Sequence, residues 1–155
     1  MHRAWGAYPD TVLTFPDAGI VVDLRHPLTP AIRRHLQDLG LPGPFAVVTA
    51  SNPLGGHLDD HSNRRLLAVL ASQIASRFPG ARKALGGSPD GRHQEPGWAI
   101  PASLEEARRL AEEFLQNALF WYDGDRFLIV PVHAPGEPLG LPCPLEISPP
   151  ARADC

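Results

Sequence analysis

Lysine is nearly missing from this chain: Lys83 is the only one in 155 residues. Acidic residues outnumber basic ones, 17 to 14, for a net charge of -3 at pH 7. Nucleic-acid binders gain most of their affinity by neutralising phosphates and carry a basic excess. That excess is absent, so no nucleic-acid partner is expected. Cysteine is scarce as well, with Cys143 and Cys155 both near the C-terminal end. A bridge between them would close a short loop and staple no core, so both read as free thiols. No apolar run approaches the roughly 18 residues that suggest a membrane span. The opening residues, Met1 to Gly6, lack the apolar stretch of a signal peptide. A cytoplasmic protein with no membrane partner is the expectation. Two catalytic signatures are also lacking. There is no Gly-x-Ser-x-Gly elbow. Gly86-Gly87-Ser88-Pro89-Asp90-Gly91-Arg92 has no Gly-Lys-Ser/Thr ending and opens no helix, so it reads as a hairpin loop rather than a phosphate loop.

What is present is an ordinary globular composition, 43% hydrophobic and 20% charged. A chain of this length buries roughly two thirds of its unfolded surface and needs no staple. Richness in Ala, Pro, Gly, Leu and Arg points to a high-GC bacterial genome.

Thr11 to Phe15 and Ile20 to Leu24 read as strands joined by the turn chemistry of Pro16-Asp17-Ala18-Gly19. Thr29 is a helix cap with Pro30 at the first helical position, and Gly40 ends that helix. The continuous apolar run Phe45 to Ala50 is the pattern of a central strand. Asp59 or Asp60 caps a long helix whose stripe is Leu66, Leu67, Leu70, Ile74 and Phe78. Ala81 to Leu85 and Gly97 to Ile100 are short strands around a polar loop, Gly86 to Pro96. Ser103-Leu104-Glu105-Glu106 is a capping box. Leu119 to Tyr122 and Phe127 to Val130 form a hairpin around Asp123-Gly124. The expected fold class is α+β: a two-layer sandwich with a ferredoxin-like β-α-β-β-α-β core. A β-β-α unit precedes that core and an extra hairpin strand follows it. Residues 1–133 form the single domain, and residues 134–155 form a proline-rich tail. The tail carries little of the fold and lies on the domain or a partner, with Leu139, Leu141, Leu145 and Ile147 as apolar anchors.

Four segments stand out together: Val48-Thr49-Ala50-Ser51-Asn52-Pro53, Asn63 at a helix start, Glu95-Pro96-Gly97-Trp98, and Phe114 to Trp121 with Gln116-Asn117. As a set they resemble the uncharacterised bacterial domain-of-unknown-function family 3293, over roughly Tyr8 to Val132. The resemblance implies that Thr49, Asn52, Pro53, Asn63, Glu95, Pro96, Gln116 and Asn117 are recurring features. It implies no activity. His57 and His61 fall outside its pattern.

Asn52-Pro53 follows a buried strand, where open sheets often place ligands, and an Asn amide offers both donors and an acceptor. An Asx-type turn explains the same residues. His57 and His61 are spaced for one metal ion on a helix, with His93 and Glu95 to complete the set. Gly55-Gly56 and the capping aspartates put His57 outside the helix, so no metal site and no cofactor are expected. Glu95 beside Pro96-Gly97-Trp98 is a candidate general acid or base, or a plain strand-end carboxylate. Arg64 and Arg65 can meet an anion at the helix start or simply face solvent.

The favoured function is a non-catalytic or regulatory binding domain. Its polar pocket would surround the Thr-Ala-Ser-Asn-Pro loop, with Thr49, Asn52, Asn63, Arg64, Gln116 and Asn117 as ligand-binding residues. The alternative is an enzyme for a small polar or anionic substrate, with Glu95 as acid or base and Asn52 and Asn63 orienting the substrate. Partners are a small polar ligand, or a protein reached through the proline-rich tail.

Overall fold

The computed structural model describes residues 8–41, 43–133 and 135–143. Its elements are β1 (Val12–Phe15), β2 (Ile20–Asp23), α1 (Pro30–Gln37), β3 (Phe45–Thr49), α2 (Asp60–Arg77), β4 (Arg82–Gly87) and β5 (Gln94–Ile100). There follow α3 (Leu104–Glu113), β6 (Ala118–Tyr122), β7 (Phe127–Pro131) and β8 (Leu139–Gly140).

Local chemistry sets most of these boundaries. Thr29 Oγ1 accepts the Ile32 amide at 3.1 Å and starts α1. Asp59 does the same for α2, accepting the Ser62 amide at 2.7 Å. Ser103 and Glu106 exchange both bonds of the capping box that opens α3. In the β6–β7 turn Asp123 Oδ1 accepts the amides of Asp125 and Arg126 at 2.8 and 2.9 Å.

The strands form one sheet in the order β2-β1-β4-β5-β3-β6-β7-β8, and every neighbouring pair is antiparallel. The helices α2 and α3 cover one face. Leu70, Ile74, Phe78, Leu110 and Phe114 bury themselves there with Val48, Ile100 and Val130 of the sheet.

The opposite face has its own core, which a two-layer arrangement does not contain. Phe15 of β1 meets Phe45 of β3 with ring centroids 6.1 Å apart. Those strands are three places apart in the sheet, about 14 Å if it were flat. The sheet therefore curls, and its concave side closes over Phe15, Phe45, Tyr122 and Phe127. Leu36 and Leu39 at the end of α1 join this core. Arg33 fixes α1 to the β6–β7 turn, pairing with Asp125 at 3.3 Å. The chain is thus a mixed α+β fold with helices on both faces of a curled sheet.

The β4–β5 hairpin is longer than the sequence suggests. Gly86 and Gly87 pair with Glu95 and Gln94, so only Ser88 to His93 remain as the turn. Pro96 lies inside β5, opposite Leu85. It is tolerated because β3 stops pairing at Thr49–Gly97, so the missing amide faces past the end of that ladder. Next to it, Gly97 has no room for a side chain, because a Cβ there would run into the carbonyl oxygen of Val48.

Part of the proline-rich segment belongs to the sheet. β8 pairs at the edge with Leu128 and Ile129, and Leu141 is buried in the concave core. Leu139 and Cys143 pack against that core. Cys143 is disulfide-bonded, which corrects the expectation of a free thiol there. The expectation rested on a bridge here stapling no core, whereas Cys143 itself packs against the core beside Leu139 and Leu141. Cys155, Leu145 and Ile147 lie outside the described residues. Among those described, no helix is long and apolar enough to cross a membrane.

Candidate functional site

The chain leaves β3 through a left-handed residue. Asn52 has φ 50°, and the other non-glycine residues with positive φ among the described residues, Leu54 and Leu115, meet in the same loop. Asparagine tolerates this region better than most side chains. The conformation lets two amides lock together. Asn63 Oδ1 accepts the Asn52 backbone amide at 2.9 Å, and Asn63 Nδ2 donates to Asn52 Oδ1 at 2.9 Å. Asn63 Nδ2 also donates to the Leu58 carbonyl at 3.3 Å, while the Leu58 amide donates to Asn52 Oδ1 at 3.1 Å. The loop from Asn52 to Leu58 is thereby tied to the first turn of α2.

Three further residues named from the sequence stand behind this loop. The Thr49 hydroxyl donates to the Pro96 carbonyl at 2.9 Å and accepts the Ser51 amide at 3.2 Å. Gln116 is buried, and its Nε2 donates to the carbonyls of Ser51 and Phe114, both at 3.1 Å. The Leu54 amide donates to the Leu115 carbonyl at 2.7 Å, joining the loop to the end of α3. The Asn117 carbonyl accepts the Val132 amide, and its side-chain nitrogen lies where a Cβ on Gly55 would approach. Thr49, Gln116 and Asn117 build the support of the loop and do not line the cleft in front of it.

That cleft has a volume of about 380 Å³. One wall comes from the loop and α2, with Asn52, His57, Asp60, Asn63 and Arg64. The other is the tip of the β4–β5 hairpin, with Arg92, His93 and Glu95. Asn52 and Glu95 therefore both border one concave site. Asn63 contributes its surface to the cleft, but its amide is engaged within the loop. Of the Asn52 amide, the oxygen is engaged twice, and Nδ2 has no acceptor among the described residues.

On the hairpin wall, His93 Nε2 and Glu95 Oε2 are 2.8 Å apart. His93 directly precedes β5 and its carbonyl continues the hairpin pairing by accepting the Ser88 amide, so it extends the strand's two-residue alternation to Glu95. Ser88 clamps the His93 backbone from both sides: its hydroxyl accepts the His93 amide, and its amide donates to the His93 carbonyl. Arg92 is tethered to Asp90 at 3.8 Å within the turn. The Asp90 carboxyl is held below its usual range, first by the Ser88 hydroxyl and then by the Arg92 amide. Tyr8 packs against the concave core, where burial pushes its phenol up to about 12, and the negative charge of Glu95 adds to the shift. Arg64 makes no ion pair among the described residues, although Asp60 stands one helical turn before it.

The pairing of His93 with Glu95 was missed by sequence reasoning, which grouped them only as metal ligands. Their i, i+2 spacing was the available signal, but it becomes readable only once the hairpin pairing is known to reach Ser88 and His93, just before β5. Asp59 caps α2, so His57 precedes the helix and does not share a helical face with His61. Among the described residues, no group of three or more His, Cys, Asp or Glu side chains is arranged to hold a metal ion.

The sequence model of the family described as "Protein of unknown function (DUF3293)" matches residues 48–119. That span begins in β3 and ends in β6, and it contains the loop, both walls of the cleft and the Gln116-Asn117 support. No curated protein and no solved structure matches the chain.

Proposed function

On the premise that the chain belongs to the DUF3293 family through residues 48–119, we propose that it is a binding domain. Its polar cleft, built around Thr49-Ala50-Ser51-Asn52-Pro53, takes a small polar ligand. The observation that carries this reading is the convergence of Asn52 and Glu95 on one cleft of about 380 Å³. The amide lock between Asn52 and Asn63 holds one wall before any ligand arrives, and such preorganisation reduces the ordering cost of binding.

A titration of isotope-labelled full-length protein with a panel of small polar compounds tests the proposal. Saturable shifts gathered at Asn52, His57, His93 and Glu95 are expected. Shifts scattered over the surface, or none, would refute it.

The contact between His93 and Glu95 at 2.8 Å favours a second reading, an enzyme in which Glu95 acts as acid or base. In that case a bound compound would be turned over, and Glu95→Gln would abolish turnover while binding persisted.

Three broader assignments belong to the same proposal. The contiguous strand order β4-β5-β3-β6 supports a ferredoxin-like core within the larger sheet. The domain extends past residue 133 to take in β8 and Leu141, and the proline-rich sequence that follows β7 is the proposed route to a protein partner. Composition supports a bacterial, cytoplasmic setting without nucleic acid, although the bonded Cys143 withdraws the thiol argument for that compartment.

A further inference from the structure

Resting on the binding reading, we propose that the ligand carries an oxyanion, a carboxylate or a phosphate, gripped by Arg64 and the Asn52 side-chain amide. The argument is an account of which polar groups on the cleft walls already have partners. Glu95 is occupied by His93 at 2.8 Å, and Arg92, an exposed side chain, makes only a 3.8 Å contact with Asp90 and points its charge to solvent at the hairpin tip. Asn63 directs both its carbonyl oxygen and its nitrogen into the loop.

What remains includes two donor groups. Asn52 Oδ1 accepts from Leu58 and Asn63, which leaves Nδ2 as the arm without an acceptor among the described residues. Arg64 lines the same cleft without an ion pair among those residues. The i, i+4 spacing of Asp60 and Arg64 favours a helical ion pair, yet none forms among the described residues, and the carboxylate that feels the Arg64 charge is the capping Asp59, which makes no direct ion pair with it. Asp60 is the opposing charge that lines that wall, and the capping Asp59 precedes it. Asp60 lies in the first turn of α2, where the helix dipole stabilises a carboxylate. His57 offers a further ring nitrogen beside them. A guanidinium and an amide N–H both only donate, so the ligand group must accept, and the charge of Arg64 favours an ionised acceptor, an oxyanion.

The test is a titration of the full chain at constant ionic strength with three probes: sodium acetate, inorganic phosphate and acetamide. Side-chain resonances of Asn52 and Arg64 report the site. Saturable shifts with acetate or phosphate, and none with acetamide, are expected. The tighter of the two anions distinguishes a carboxylate ligand from a phosphate. Arg64→Gln should weaken the anion by about tenfold or more, as expected for loss of a charge-assisted contact. Arg65→Gln, which changes the neighbouring arginine outside the cleft lining, should leave it unchanged. Equal binding of acetamide, or an Arg64→Gln protein that binds anions like wild type, overturns the oxyanion inference and leaves the binding reading standing. If no probe moves any cleft resonance, both fall.

Discussion

The side chain of Asn63 holds Asn52 in a left-handed conformation by a reciprocal pair of hydrogen bonds, each 2.9 Å long. One bond uses the Asn52 backbone and the other its side chain, so a single residue of α2 fixes both the path of the loop and the direction of the amide facing the cleft. Removing it should leave a backbone donor without a partner in a partly buried setting. Asn63→Ala is expected to cost about 1–3 kcal/mol, read as a shifted midpoint in urea unfolding. Asn63→Asp retains the acceptor for Asn52 N and loses the donor to Asn52 Oδ1, so it should also be destabilising.

Gly97 is required by its neighbour rather than by its own backbone angles. A Cβ at that position meets the Val48 carbonyl oxygen in the middle of the sheet. Gly97→Ala should destabilise by about 2 kcal/mol or more, since rigid strand backbone must move to make room. Gly56→Ala is the control, because its Cβ would come only to 3.4 Å from the Pro53 carbonyl. Thermal melts of the two variants should differ by several degrees, with Gly56→Ala close to wild type.

Leu141 tests whether the segment after β7 is part of the core. It is buried among the residues of the concave face although six prolines of the chain lie between positions 135 and 150. Leu141→Ala should cost about 2–4 kcal/mol, the usual range for deleting a buried leucine side chain. A change within about 0.5 kcal/mol would show that the segment is only laid on the surface.

Alkaline stability should report Tyr8. Its pKa is about 12 in the fold, against about 10 in an unfolded chain. A raised folded value means that the native state holds the proton more tightly. The contribution is therefore present in full below pH 10 and is lost as pH rises from about 10 to 12. Two units correspond to roughly 3 kcal/mol at most. Tyr8→Phe should flatten this part of the stability profile, measured by urea unfolding at stepped pH. Glu95→Gln should move the loss to slightly lower pH, because the carboxylate contributes to the shift.

Much of the fold is legible in the sequence because its causes are local. Thr29, Asp59 and Ser103 each cap a helix through a neighbour three residues on, and the Asp123-Gly124 turn closes on its own amides. Those interactions span a few residues, so their order along the chain is enough to identify them. The loop of amides was also found, but not its use. Whether Asn52, Asn63 and Gln116 bind a ligand or each other depends on which polar atoms arrive nearby from α2 and α3, and composition carries no such information.

The sequence by itself determined where the helices and most strands begin, and which polar residues gather around β3. Tertiary structure alone decided the curl that brings Phe15 onto Phe45, the burial of Leu141, and the meeting of Glu95 with Asn52 across one cleft. The physical reason is range. A cap or a turn is satisfied within its own segment, whereas sheet curl and the walls of a cleft arise when strands distant in sequence are paired and their twist accumulates across the sheet.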